Sequence, residues 1–268
     1  MESEIFELKQ AAAEPATPSY SVLGVRVNAV DLDGAVSRVE DWIAERKQAR
    51  WVAVMNVHMV MTARDNAAFE QVVADADMVV PDGMPLVWTA RRSGFPAQTR
   101  VAGPDLFATF LEQTHECGYR HFFYGGTSEV LDSLVARVNA QFPKTKIVGM
   151  YAPPFRLLTA KEDAEVVAMI NDADPDVIWV GLGCPKQERW MFEHRDRLNS
   201  GVMLGVGQVF DIYAGKIRRA PAWMQRTGTE WLYRLCAEPK RLWRRYLVYN
   251  TRFLAASLRR SWNRGSNL

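Results

Sequence analysis

An α/β fold is what this 268-residue sequence predicts: a Rossmann-like, mostly parallel sheet flanked by helices, carrying a helical, basic C-terminal appendage. Two observations predict the sheet and a third predicts the appendage. Short apolar runs rich in β-branched and aromatic residues alternate with longer helical patterns, as parallel strands and crossover helices do. No internal repeat breaks that alternation. After Gly215 the composition turns to Arg, Trp and Tyr.

In chain order, the opening stretch "MESEIFELKQAAAEPATPSY" carries early acids and no apolar h-region, so it reads as a flexible leader over 1–19 and not as a signal peptide. The core, 20–215, holds seven candidate strands: 21–30, 51–56, 77–80, 120–125, 145–150, 176–183 and 201–207. Helix signals lie between them. Pro104 opens "GPDLFATFLEQTHECG" and Gly118 closes it. Thr127 or Ser128 starts the next helix, which halts before Pro143. Thr159 and Glu162 stand at capping-box spacing.

The appendage, 216–268, begins with a short helix that Thr229 can cap, followed by a longer one with Pro239 in its first turn. On that second helix Leu242, Tyr246, Tyr249 and Phe253 share a face, and Arg241, Arg244, Arg245, Arg252 and Arg259 gather roughly opposite. Such a helix lies on a membrane surface, grips anions, or docks on its own core with a solvated basic face.

Composition narrows the function classes. Hydrophobic residues make up 48% and charged residues 24%, the balance of a soluble globular protein. Three scattered cysteines supply neither a disulfide framework nor a zinc site, which points to a reducing cytosol. No apolar run reaches the roughly 18 residues of a spanning helix. The net charge of +2 conceals an asymmetry: 216–268 holds 13 Lys or Arg against Glu230 and Glu238, a balance of +11 that leaves −9 for the rest. One end of the chain seeks anions.

Ligands of open parallel sheets bind outside the carboxyl ends of the strands. Asn56, Asp82 and Gln187 sit at three such ends. Singly, each has an ordinary reading, as a helix cap, a turn brace within "PDG" or a solvated first-turn residue; together they outline a pocket. The turns "VGLGCPKQE" and "YGGTSEV" suit phosphate, although neither completes a dinucleotide fingerprint and no P-loop occurs. The four histidines lack metal-site spacing, and His58 lies near the pocket. With no metal-binding acid pair at a strand end, phosphate charge falls to arginines and helix dipoles.

The blocks "MVVPDGMPLVW", "TRVAGPDLF", "GLGCPKQERWM", "GVGQVFDIYAGKIRRAPAWMQRTGTEWLYRL" and "EPKRLWRRYL" occur in this order. In them the chain resembles the WecG/TagA/CpsF family of bacterial glycosyltransferases from about residue 20 to residue 253. The resemblance implies an inverting transferase without an obligatory metal or other cofactor. Its donor would be a UDP-sugar, such as UDP-N-acetylmannosamine or UDP-glucose, and its acceptor a polyprenyl-diphosphate-linked saccharide at the inner face of the cell membrane. It implies Asp82 as general base, ionised at neutral pH if its pKa is the ordinary value of about 3.9. Arg100, Gln187 and Asn56 would line the sugar and nucleotide site, and Arg234, Arg241 and Arg244 would close over it from the appendage. The family often has Thr two residues before the Asn, where this chain has Val54.

Two other classes fit parts of the sequence. A nucleic-acid-binding α/β protein would use the basic tail, and an NAD(P)-dependent oxidoreductase would use the sheet without its glycine signature. Nucleic acid is not an expected partner of the transferase, whereas a homo-oligomer is, if a neighbouring subunit covers the core surface on which the tail would dock.

Overall fold

The computed structural model describes residues 17–265, with side chains as far as Arg259. The leader expected over 1–19 therefore falls, up to residue 16, outside the described residues, and Ser19 already belongs to the first strand.

Six strands form one parallel sheet: β3 (Arg50–Met55), β4 (Met78–Pro81), β5 (Arg120–Gly125), β6 (Lys146–Tyr151), β7 (Val177–Gly181) and β8 (Val202–Gly205). Their spatial order is β4-β3-β8-β7-β5-β6, so all carboxyl ends open to one side. The expected strand at 21–30 is instead a hairpin outside this sheet, β1 (Ser19–Val22) paired antiparallel with β2 (Val25–Asn28). Leu23 and Gly24 turn with φ of 52° and 108°, the positive pair that a tight two-residue hairpin turn requires. The hairpin covers the β4 edge: Asn28 Oδ1 accepts a 2.8 Å bond from Val79 N, and the Arg26 guanidinium donates to Ala76 O. An otherwise unpaired strand edge is thereby closed.

Side chains alternate across the sheet into two cores. From β3, Trp51, Ala53 and Met55 point to one face, and Val52 and Val54 to the other. The first face is covered by α2 (Val57–Asp65), α3 (Ala67–Ala74), α4 (Met84–Arg92), α7 (Ala160–Ala173) and α8 (Lys186–His194). The second is covered by α1 (Leu32–Glu45), α5 (Gly103–Thr114), α6 (Ser128–Gln141) and the short α9 (Val209–Tyr213). Helix starts follow local chemistry: Thr127 Oγ1 accepts from Val130 N, and Thr159 with Glu162 forms a complete capping box.

The turn Gly125–Gly126, read above as suited to phosphate, lines neither of the cavities described below, and Gly125 packs closely on β7. A Cβ on Gly125 would lie 2.7 Å from the Gly181 carbonyl carbon, and one on Gly181 would lie 2.5 Å from the Phe210 ring. Gly125 also has φ of +125°. Gly125→Ala is therefore expected to cost about 2 kcal/mol or more in urea unfolding, with the midpoint lowered.

The appendage continues through α10 (Ala222–Thr227) and α11 (Glu230–Ala237) into α12 (Pro239–Trp243), a π-helical turn (Arg244–Val248) and α13 (Tyr249–Gly265). Thr229 precedes α11 but does not cap it; its hydroxyl bonds back to Met224 O. Leu242, Tyr246 and Phe253 are buried, Tyr249 is partly so, and α13 packs against α2. Arg252 fixes this docking with a bidentate pair to Asp65, both bonds 2.7 Å. A second apolar stripe, Trp243, Leu247, Leu254 and Leu258, faces outward and is at least half exposed. No helix among the described residues is long and apolar enough to cross a membrane.

Candidate active site

β3 and β4 are parallel neighbours, and the hydrogen-bond ladder runs one step past their ends: Asp82 N donates to Met55 O at 2.7 Å. This bond sets Asp82 beside Asn56. Pro81 O accepts from Val101 N at 2.8 Å, which brings the segment carrying Arg100 to the same rim. Gly83 and Pro85 then turn the chain into α4.

Two cavities open at this rim, and Asn56, Asp82, Glu230, Arg234 and Arg245 line both. Among the described residues the Asp82 carboxyl accepts no hydrogen bond, so it is not bracing its own turn. Desolvation raises its pKa to about 7; Arg100, Arg234 and Arg245 oppose the rise and Glu230 adds to it. The expectation of an ordinary, fully ionised carboxylate is thus corrected, because desolvation of the partly exposed group by the protein packed around it outweighs the three guanidiniums.

Asn56 serves two purposes. Its Oδ1 caps α2 by accepting from Met59 N at 3.2 Å, and the residue lines both cavities. Gln187 lines the second cavity, yet its amide is bonded within its own loop, accepting from Gly183 N at 3.0 Å and donating to Glu188 at 2.8 Å. Glu188 is fully buried with one oxygen unpartnered, and desolvation raises its pKa to about 7. Arg100 lines the first cavity, but its guanidinium joins the core to the appendage: it donates to Glu230 at 2.7 Å, Gln225 at 3.3 Å and Asp105 at 3.4 Å.

Of the three appendage arginines expected at the site, Arg234 lies there, and its guanidinium has no hydrogen-bond partner among the described residues. Arg241 and Arg244 are exposed and line neither cavity; Arg241 pairs with Glu238 at 2.6 Å. Arg245 enters instead. It follows Leu242 by three residues and precedes Tyr249 by four, so it flanks the docking face and does not oppose it. Its buried Nε has no partner, and the same holds for Nε and Nη2 of Arg219, whose Nη1 bonds Asp105 at 2.5 Å. Buried guanidinium donors left open at a cavity are suited to a phosphate. Val54 also lines the second cavity.

Comparison with known proteins agrees with this architecture. The model of the "Glycosyl transferase WecG/TagA/CpsF family" matches residues 20–267. The chain belongs to this family of glycosyltransferases. It is 33% identical over 217 residues to an N-acetylglucosaminyldiphosphoundecaprenol N-acetyl-β-D-mannosaminyltransferase of Bacillus spizizenii, which covers 81% of this chain and 82% of the relative. A protein of the same description from Bacillus subtilis is 30% identical over 220 residues, with the same coverage of 81% and 82%.

In this WecG/TagA/CpsF transferase, Glu230, Arg218, Arg219 and Arg245 are site residues that sequence reasoning did not place there, whereas His58, read as lying near the pocket, does line it. Glu230 lies in the first turn of α11, where an acid looks like an ordinary helix start. His58 lines the first cavity with Nδ1 buried and unpartnered, and desolvation, then Arg245, lowers its pKa to about 4. The spacing from Leu242 could have marked Arg245, had each arginine been placed on the helix separately.

Proposed function

We propose that this protein is an inverting glycosyltransferase that moves a hexosyl unit from a UDP-sugar to a polyprenyl-diphosphate-linked saccharide, in building a bacterial surface polysaccharide. Family membership and the names of the two Bacillus relatives support the reaction class. The observation that carries the mechanism is Asp82, a carboxyl without a hydrogen-bond partner among the described residues, on the rim shared by two cavities and beside Arg234 and Arg245.

Asp82 takes the proton from the acceptor hydroxyl as that oxygen bonds to the anomeric carbon. The bond from that carbon to the UDP oxygen breaks on the opposite side, and UDP leaves with the electron pair. General-base assistance of this kind contributes roughly 10²–10⁴-fold. Arg218, Arg219, Arg234 and Arg245, all lining the second cavity, meet the charge that grows on the diphosphate. Cationic side chains take this role in the proposal, so transfer is expected to persist in EDTA.

Because only ionised Asp82 accepts a proton and its pKa is about 7, kcat/KM should fall about tenfold per pH unit below that value. A profile flat from pH 5 to 8 would remove Asp82 from the role.

The outward face of the appendage suits a bilayer. Trp243, Leu247, Leu254 and Leu258 form an exposed stripe flanked by the exposed Arg241 and Arg244, and this combination of apolar and basic groups binds anionic lipid surfaces. We place the enzyme peripherally at the inner membrane face, where Arg241 and Arg244 meet lipid phosphates. Co-sedimentation with phosphatidylglycerol vesicles should drop at least fivefold in Trp243→Ser/Leu247→Ser, because each deeply buried apolar side chain contributes roughly 1.5–3 kcal/mol. Unchanged sedimentation would refute that placement.

The deciding experiment offers a panel of UDP-sugars, UDP-N-acetylmannosamine and UDP-glucose first, with a short polyprenyl-diphosphate-linked N-acetylglucosamine, and identifies the product by mass and anomeric configuration. A β-linked disaccharide from an α-linked donor is expected. No transfer from any UDP-sugar would overturn the reading.

A further inference from the structure

The two cavities that share Asp82 differ sharply in what is not shared. Residues found only in the second cavity include Arg218, Arg219 and the glycines at the ends of β7 and β8. Residues found only in the first include His58, Met84, Arg100, Trp231, Tyr246 and Asn250. Arg100 is the one charged side chain of that set, and its guanidinium is already bonded to Glu230, Gln225 and Asp105. The rest of its unshared lining includes two aromatic rings, an imidazole, an amide and an apolar thioether, while Asp82, Glu230, Arg234 and Arg245 line both cavities.

We propose that the first cavity is the acceptor-sugar subsite, built for a pyranose, with Trp231 and Tyr246 as its apolar wall and His58 and Asn250 as the residues that read the sugar's substituents. The proposal rests on the transfer reaction put forward above and assigns its second substrate to specific residues. A pyranose presents an apolar face of C–H groups and an equatorial ring of hydroxyls. It is therefore held by aromatic surface together with polar groups that both donate and accept. The rings of Trp231 and Tyr246 lie 6.1 Å apart and tilted by 50°, forming a corner and not a closed stack. His58 is positioned by ring contact with Tyr249, 5.1 Å between centroids, and its Nδ1 is buried without a partner. Burial and Arg245 keep this imidazole neutral at physiological pH, so it retains one donor and one acceptor.

The arrangement also gives the reaction a direction. With the anionic donor in the cavity that alone holds Arg218 and Arg219 and the acceptor sugar in the aromatic one, the shared carboxyl stands where an acceptor hydroxyl must be deprotonated. Trp231, Tyr246 and Asn250 all come from the appendage, so the acceptor subsite exists only when the appendage is docked.

The test measures two ligands by calorimetry on the full-length protein. The probes are UDP and farnesyl-diphosphate-linked N-acetylglucosamine, and the variants are Trp231→Ala, Asn250→Ala, His58→Ala and the conservative His58→Gln. Each alanine variant should bind the lipid-linked sugar about tenfold more weakly, the scale of one lost hydrogen bond or ring contact, and bind UDP within twofold of wild type. His58→Gln, which keeps a donor and an acceptor, should recover much of the loss. Alanine variants that bind the sugar probe normally, or that lose UDP affinity in parallel, would overturn the assignment, as would a wild-type protein that does not bind the probe. A wild type that binds both probes with the expected variant pattern but transfers no sugar would leave the subsite standing and remove the reaction.

Discussion

Asp82→Asn should lower kcat at least a hundredfold while leaving UDP affinity within twofold, the low end of what a general base contributes. The amide fits the same space and cannot take the proton. A second signature separates this loss from misfolding. The Asp82 pKa is raised from 3.8 to about 7, so between those values the folded protein binds a proton that the unfolded chain releases. The stability associated with the neutral acid is present below pH 4 and is lost as pH climbs through 7. The amide variant escapes that loss, so at pH 8 its Tm should exceed that of wild type by about 2 °C or more, and the gap should narrow towards pH 5. An inactive variant with a lower Tm at pH 8 would mean that the carboxyl stabilises the fold, contrary to the geometry. Near-normal turnover would mean that another group is the base.

Arg245→Met should cost about a hundredfold in kcat/KM and weaken UDP binding, since it removes a cation from both cavities. It should also move the acid limb of the pH profile to higher pH, because Arg245 is one of the three charges holding the Asp82 pKa down. A variant that was merely unstable would leave that limb in place. One residue earlier, Arg244 is exposed and lines neither cavity. Arg244→Met should keep UDP affinity within twofold and weaken vesicle binding instead. If the two variants behaved alike towards UDP, the distinction drawn between neighbouring guanidiniums would be wrong.

That pair of arginines also marks where sequence reading stops. Six of the seven expected strands are in the sheet, because buried parallel strands announce themselves as continuous apolar runs. The run at 21–30 misled for the same reason: Leu23-Gly24 is a turn without Pro, Asn or Asp, hidden among valines, and it became a hairpin. Asn56 and Asp82 were legible as site candidates since each directly follows a strand, and a parallel sheet brings neighbouring ends together whatever happens elsewhere. Gln187 also follows a strand, yet its amide is committed to Gly183 and Glu188, a local detail that no spacing reveals. Glu230, Arg234 and Arg245 reach the rim only because the Leu242, Tyr246 and Phe253 face docks the appendage. The direction of that docking depends on three-dimensional fit, and so did the raised pKa of Asp82, which follows from what surrounds the carboxyl and not from its neighbours in sequence.

The position of β8 in the sheet governs how the molecule can assemble. It lies between β3 and β7, joining β4-β3 on one side to β7-β5-β6 on the other, and it is the last of the six strands in the chain. Until residues 202–205 have left the ribosome, the two half-sheets have no common neighbour, and β3 and β7 each present an open, apolar edge to solvent. A chain that ends at residue 200 should therefore aggregate or recruit chaperones, and one released with β8 included should close the sheet and become more protease-resistant.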